Sequence, residues 1–132
     1  KVACWGMSVV TLSRLLLCAV NHMQEEFGIE ISLGKMPSGS RHNANLETLW
    51  TEFGRRIDEG AVPVIGLFGR HEHWTVAFAI SEKYLKLFDS DGMRILRRAA
   101  CTTGQARRRY GIRPRDVYFL YRLTSGSLDG ER

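Results

Sequence analysis

The stretch from His73 to Gly92, HWTVAFAISEKYLKLFDSDG, decides the fold. Two runs of β-branched, aromatic and aliphatic residues flank the polar triplet Ser81, Glu82 and Lys83, which is the pattern of a β-hairpin with a short loop. A three-residue turn puts Ile80 opposite Tyr84, Ala79 opposite Leu85, Ala77 opposite Leu87, Thr75 opposite Asp89 and His73 opposite Asp91. Side chains alternate across a strand, so His73, Thr75, Ala77, Ala79, Leu85, Leu87, Asp89 and Asp91 fall on one face. Trp74, Val76, Phe78, Tyr84, Lys86 and Phe88 fall on the other. An imidazole and a carboxylate thereby meet on one side of a sheet, with Asp91 directly across from His73 and Asp89 on the diagonal. Ala77 and Ala79, both small, leave room on that face for a helix.

Further strands are expected at Val62–Phe68, Met93–Leu96 and Asp116–Leu123, giving about five, mostly antiparallel. Upstream the period changes. From Trp5 to Phe27 apolar residues recur at three- and four-residue steps (Val9, Leu12, Leu16, Val20, Met23), and Leu15, Leu17 and Cys18 widen the stripe, which predicts a buried helix stopped by Gly28. Asn45 is a suitable N-cap for a second helix carrying Leu46, Leu49, Trp50, Phe53 and Ile57 on one face and closed by Gly60. Between them residues 34–45, GKMPSGSRHNAN, read as a surface loop. A chain of 132 residues with these elements is expected to form one domain over residues 1–123, with 124–132 as a tail. The fold class is α+β: an N-terminal buried helix packed on a twisted antiparallel sheet.

Composition narrows the function. No apolar run approaches membrane-spanning length, so no membrane partner is expected. Three cysteines, Cys4, Cys18 and Cys101, with no Cys-x-x-Cys spacing, argue against a disulfide scaffold or a structural zinc knot. The net charge of +5 is concentrated between Arg97 and Arg115, which holds seven arginines and no acid. Such a segment suits a solvated, partly disordered loop or a surface for an acidic partner. Nucleic acid is disfavoured there, because Tyr110 is the segment's single aromatic residue for base stacking.

Cys4 stands at the threshold of the first predicted helix. It is either a small core residue or a nucleophile. A thiol at a helix N-terminus feels the positive end of the macrodipole and, beside an imidazole, can become a thiolate at acidic pH. With a carboxylate to orient the histidine, Cys4, His73 and Asp89 would form a triad for acyl transfer, and the Cys4 amide would donate to the oxyanion. Asp91 competes with Asp89 for the orienting role. Cys18 is expected in the core and Cys101 exposed or half-buried. His71 and His73 could chelate a metal with Asp89 or Asp91, but further ligands are not evident in the sequence, and neither metal nor other cofactor is expected.

CWGMS (residues 4–8) resembles the Cys-Trp-Ala-Phe-Ser signature of papain-like cysteine peptidases, and HWTVAF followed by LFDSDG resembles their histidine strand and its downstream motif. The His73-to-Asp89 step is also similar to that of bacteriocin-processing peptidase domains of ABC exporters, and small bacterial papain-like proteases and effectors share the Cys-Trp start. The resemblance covers residues 1–92 and implies a papain-like fold. It implies a cysteine peptidase that cleaves a peptide or isopeptide bond of a protein substrate, in a cytoplasmic or exported bacterial protein. The family's glutamine about six residues before the nucleophile has no counterpart, since three residues precede Cys4. Gln24 and Gln105 are not natural substitutes, and the sequence is expected to be a piece of a longer chain. Alternatives are an effector or toxin with deamidase or transglutaminase activity, and a non-catalytic module that binds through residues 97–115.

Overall fold

The computed structural model describes residues 8–36 and 45–123. In chain order they form α1 (Val9–Phe27), β1 (Glu30–Lys35), α2 (Leu46–Asp58), β2 (Val62–Gly69), β3 (His73–Ile80), β4 (Tyr84–Phe88), β5 (Ile95–Arg97), a 3-10 turn (Arg98–Ala100), β6 (Cys101–Thr102) and β7 (Tyr110–Leu123). The α+β class holds, with an N-terminal helix and an open sheet in the order β1-β7-β2-β3-β4-β5. All pairings along that path are antiparallel, while β6 adds a short parallel contact to β7.

Seven strands replace the expected five. Alternation in Glu30, Ile31, Ser32 and Leu33 was the available signal for β1, which pairs with the C-terminal half of β7 from Glu30↔Leu123 to Lys35↔Tyr118. The last strand starts at Tyr110 rather than Asp116. Pro114 does not break it because the β2–β7 ladder jumps from Ile65↔Val117 to Leu67↔Ile112, and the proline lies in the resulting bulge, where no ladder N–H is required. Opposite that bulge, Gly66 carries the Trp74 ring so closely that a Cβ would stand 2.8 Å from it.

The two helices cover opposite faces. On β2, β3 and β7, Ile65, Leu67, Ala77, Val117 and Phe119 point to one side, where they join Leu49, Trp50 and Phe53 of α2. Val64, Trp74, Val76 and Tyr118 point to the other, where they meet Leu12 and Leu16 of α1. The face with the small residue Ala77 is therefore closed by α2 and not, as the sequence predicts, by α1. Asn45 caps α2 as expected, its side chain accepting from the Thr48 amide at 2.7 Å, an arrangement worth about 1 kcal/mol. Trp50 donates its indole N–H to the Ser81 carbonyl at 2.8 Å, which ties α2 to the β3–β4 turn.

The prediction of a buried first helix is overturned. Leu12 is its one fully buried side chain among the described residues, and Val10, Leu15, Leu17 and Phe27 are exposed. A narrow stripe through Leu12, Leu16, Val20 and Met23 is the less exposed side, where Leu12 and Leu16 pack with Trp74 and Tyr118, while the remaining faces of the helix are open to solvent. Cys18 lies outside that stripe and is exposed, contrary to expectation. The Gly28 stop holds: it is left-handed (φ 66°), with its N–H on the Gln24 carbonyl and the following Ile29 N–H on the Met23 carbonyl. At the other end Ser8 is the N-cap, its hydroxyl accepting from the Thr11 amide, so α1 begins at Val9 and not at Trp5. Residues 1–7, with Cys4 and the expected first turn, lie outside the described residues, as do the expected tail 124–132 and most of the loop 34–45.

The hairpin departs from expectation near its turn. Val76↔Phe88 and Ala77↔Leu87 pair as predicted, but a bulge at Phe78 shifts the ladder to Ala79↔Lys86 and Ile80↔Leu85. The extra residue reverses the alternation, so Ile80 in place of Ala79 joins the α2 side. Toward His73 the predicted register holds as far as Val76↔Phe88, where β4 ends, so the expected pairs Thr75↔Asp89 and His73↔Asp91 are not part of the ladder.

The arginine-rich segment is ordered, not a partly disordered loop. It comprises the end of β5, the 3-10 turn, β6 and the first half of β7. Arg113 stacks over Phe68 at 3.9 Å, and the Arg109 carbonyl accepts from the Arg70 amide at 3.0 Å. Arg97, Arg107, Arg108, Arg109, Arg113 and Arg115 remain exposed.

Candidate active site

Strand β4 stops at Phe88, one residue before the predicted end, and the chain turns through Asp89–Gly92. The turn follows from its residues. One carboxylate oxygen of Asp89 accepts from the amides of Asp91 (3.0 Å) and Met93 (3.3 Å), and Gly92 takes the positive φ of 87° that closes the bend. The second oxygen of Asp89 is left facing β3. It meets Nε2 of His73 at 2.7 Å.

Of the two acids the sequence offers, Asp89 makes the hydrogen bond to His73. Asp89, whose side chain is 0% exposed, is the acid that holds His73, itself 14% exposed. Asp91 is 54% exposed and lies 3.5 Å from Nδ1, with His71 Nε2 3.1 Å from the same carboxylate oxygen. Bending the chain after Phe88 moves Asp91 out of its direct cross-strand position and swings Asp89 beneath the ring. Thr75, buried behind the pair, adds its hydroxyl dipole to the Asp89 site without forming a hydrogen bond of ordinary geometry.

Burial works against the Asp89 anion. The Thr75 hydroxyl, His73 and the amides of Met93 and Asp91 outweigh it and hold the carboxyl below its ordinary value of 3.8. An ionised Asp89 accepts from Nε2–H, so neutral His73 carries its lone pair on Nδ1. That nitrogen is the one free to take a proton from a nucleophile.

The same shift fixes an acid limb of stability. Between the lowered folded value and 3.8 the unfolded chain binds more protons, so the contribution of Asp89 is complete above 3.8 and is lost as pH falls through the folded value. Glu52 acts in the same direction: burial opposes its anion, but Arg55 and Arg56 lower its pKa. Denaturant unfolding between about pH 2 and 6, a range that spans both carboxylates, should show Asp89→Asn flattening the part of this limb that Glu52 does not supply. An unchanged limb would contradict the assignment.

The other cysteines are accounted for. Cys101 is buried, against expectation, because β6 pairs alongside β7 and its side chain joins the core cluster with Leu49, Trp50 and Phe53; its thiol donates to the Arg97 carbonyl at 3.3 Å. Burial pushes its pKa up to about 12, which makes it an inert thiol at neutral pH. Cys18 stands on the outer surface of α1. Gln24 and Gln105 are both exposed, Gln24 on α1 and Gln105 in the turn before β7.

Although α1 covers the face opposite His73, its first turns lie at the His73 end of the sheet. The chain passes through Gly28 into β1, which runs along β7 from Leu123 to Tyr118, so α1 returns over Tyr118. Ser13 shares a hydrogen bond with the Tyr118 hydroxyl there, and Trp74, next to His73, packs against the same ring at 6.3 Å. Cys4 is four residues ahead of Ser8, a span of at most about 14 Å when extended. Beside Asp89 an open groove of about 520 Å³ carries the stacked rings of Phe78 and Phe88 (centroids 4.6 Å apart) with Met93 and Ile95.

Comparison with protein-family models, with curated proteins and with solved structures finds no match. Among the described residues no helix is long and apolar enough to cross a membrane.

Proposed function

We propose that the chain is a papain-like cysteine hydrolase cleaving a peptide or isopeptide bond, with Cys4 as nucleophile, His73 as base and Asp89 as the orienting acid. One observation carries this reading: a buried, ionised Asp89 fixed by two backbone amides holds His73 through Nε2 and leaves Nδ1 as the acceptor. An imidazole so constrained is oriented for general-base work. Burial and a raised pKa argue against Cys101 as the nucleophile, and Cys18 stands exposed on α1 outside the stripe that faces the sheet, so the role is assigned to Cys4.

In the proposed reaction Nδ1 takes the Cys4 proton and the thiolate attacks the carbonyl carbon, forming a C–S bond and an oxyanion. Collapse expels the amine, which receives the proton from His73, and water then cleaves the thioester to return the free thiol and a carboxylate. The Phe78–Phe88 groove, which reaches Asp89 but not His73, suits an apolar segment of the substrate.

The test is labelling by a thiol-directed covalent inhibitor, read peptide by peptide. Adduct on the Cys4 peptide, lost in Cys4→Ala with the fold intact, is the expected result. Because Cys18 is exposed, the measurement must resolve the peptides. Labelling of Cys18 with none at Cys4 would refute the reading. Product mass separates hydrolysis from a one-dalton side-chain deamidation, roughly the mass difference between an amide and an acid, and from a crosslink.

A further inference from the structure

The Asp89–Gly92 bend does more than orient His73. It carries an Asp91 carboxylate oxygen to 3.1 Å from His71 Nε2 and 3.5 Å from His73 Nδ1, and one ligand atom from each of the three residues lies within 4.8 Å of the other two. We propose that His71, His73 and Asp91 bind one divalent transition-metal ion of the zinc class, with Asp89 as the outer partner that presents His73.

The donor set is two imidazoles and one carboxylate, a combination suited to zinc and its neighbours and poor for calcium or magnesium. Metal–ligand bonds of about 2.0–2.2 Å around a tetrahedral centre place neighbouring donor atoms roughly 3.3–3.5 Å apart. The observed separations from the Asp91 oxygen are 3.1 Å to His71 and 3.5 Å to His73. The two imidazole rings stand 5.0 Å apart, tilted by 37°, and the half-buried His71 ring has to turn to bring its nitrogen to ligand spacing from that of His73. Three protein ligands leave a fourth position for water.

Asp89 supplies the second observation. Its bond to Nε2 leaves Nδ1 as the ring nitrogen on the Asp91 side, 3.5 Å from a carboxylate oxygen, so a cation can be shared between the two atoms. The carboxylate–imidazole–metal sequence this creates is the usual way a ligating histidine is oriented. The sequence pointed to His71 and His73 with either Asp89 or Asp91, and the bend after Phe88 brings Asp91 to the pair while Asp89 holds His73 from Nε2.

The site stands independently of the thiol chemistry. Its consequence rests on the proposed function: a metal on Nδ1 occupies the lone pair that would accept the Cys4 proton, so the loaded form lacks its base.

Chelator-treated full chain titrated with Co²⁺ tests the proposal through the visible d–d bands. The expected result is one equivalent bound, displaced by Zn²⁺, with binding weakened at least about tenfold in His71→Ala and in Asp91→Asn. Asp89→Asn should lose about 10–100-fold, the usual cost of removing an outer partner. His71 and Asp91 are solvent-exposed enough for their variants to stay folded, which circular dichroism checks. Cys4→Ala should bind as the wild type does. Absence of d–d bands at excess Co²⁺, which would leave a proton alone to bridge His73 and Asp91, overturns the site. So does wild-type affinity in both His71→Ala and Asp91→Asn, or loss of binding in Cys4→Ala. The titration reports the metal whether or not the thiol reacts, so failure of the site and failure of the proposed function are distinguishable.

Discussion

Asp89→Asn is expected to lower kcat/KM for peptide hydrolysis by about 10²–10⁴, with His73→Ala at least as severe. The asparagine is nearly isosteric, so the loss would come from hydrogen-bond polarity. Asp89 now accepts on both oxygens, from His73 on one and from the Asp91 and Met93 amides on the other. An amide has one accepting end. Two backbone donors that cannot rotate away outcompete one imidazole, so the carbonyl turns to the backbone and the NH₂ group faces Nε2. His73 must then accept at Nε2 and keep its proton on Nδ1, where it cannot take another from a thiol. Asp91→Asn should leave hydrolysis within about twofold, because Asp91 touches only the exposed side of the ring. Steady-state kinetics on a peptide substrate checks this. Equal losses in the two variants would return the orienting role to both acids, and no loss in Asp89→Asn would remove the dyad from the reaction.

Phe53→Ala should destabilise the fold by about 3–5 kcal/mol. Phe53 is 0% exposed and sits between the Trp50 and Phe119 rings, each 6.2 Å away by centroid. It is the central contact between α2 and the face of the sheet that also bears Thr75 and Ala77. Truncation leaves a cavity that two aromatic neighbours and a sheet cannot collapse to fill. The midpoint of urea unfolding, with its slope, measures the loss. A change below about 1 kcal/mol would mean that α2 does not close this face. Leu12→Ala on the opposite face should cost less than Phe53→Ala, since α1 is mostly exposed.

Much of the hairpin was legible because its residues state their own geometry. Alternation from His73 to Ala77 and from Leu85 to Asp89 sufficed to bring an imidazole and a carboxylate to one face. What alternation does not encode is where a strand ends. The Asp89-x-x-Gly92 turn captures two amides and decides between Asp89 and Asp91, and the bulge at Phe78 appears in the three-dimensional pairing alone. α2 was equally plain, since Asn45, Leu49, Trp50 and Phe53 combine cap and stripe. Periodicity failed for α1 in a specific way. A helix apolar on every side resembles a buried one, and no local signal tells that its contact with Trp74 and Tyr118 is confined to one stripe. Nor does either stripe say which face it will cover: the small residue Ala77 accepted α2 rather than α1. Pro114 and the surrounding arginines concealed the first half of β7, whose bulge makes both tolerable.

The rate of alkylation at Cys4 as a function of pH, in the wild type and in His73→Ala, is the most direct measurement. Coupling to His73 predicts a wild-type thiol that reacts well below the ordinary thiol pKa of about 8.5, and a variant whose rate rises only near that value. Superimposable profiles would mean that the imidazole and the sulfur never meet.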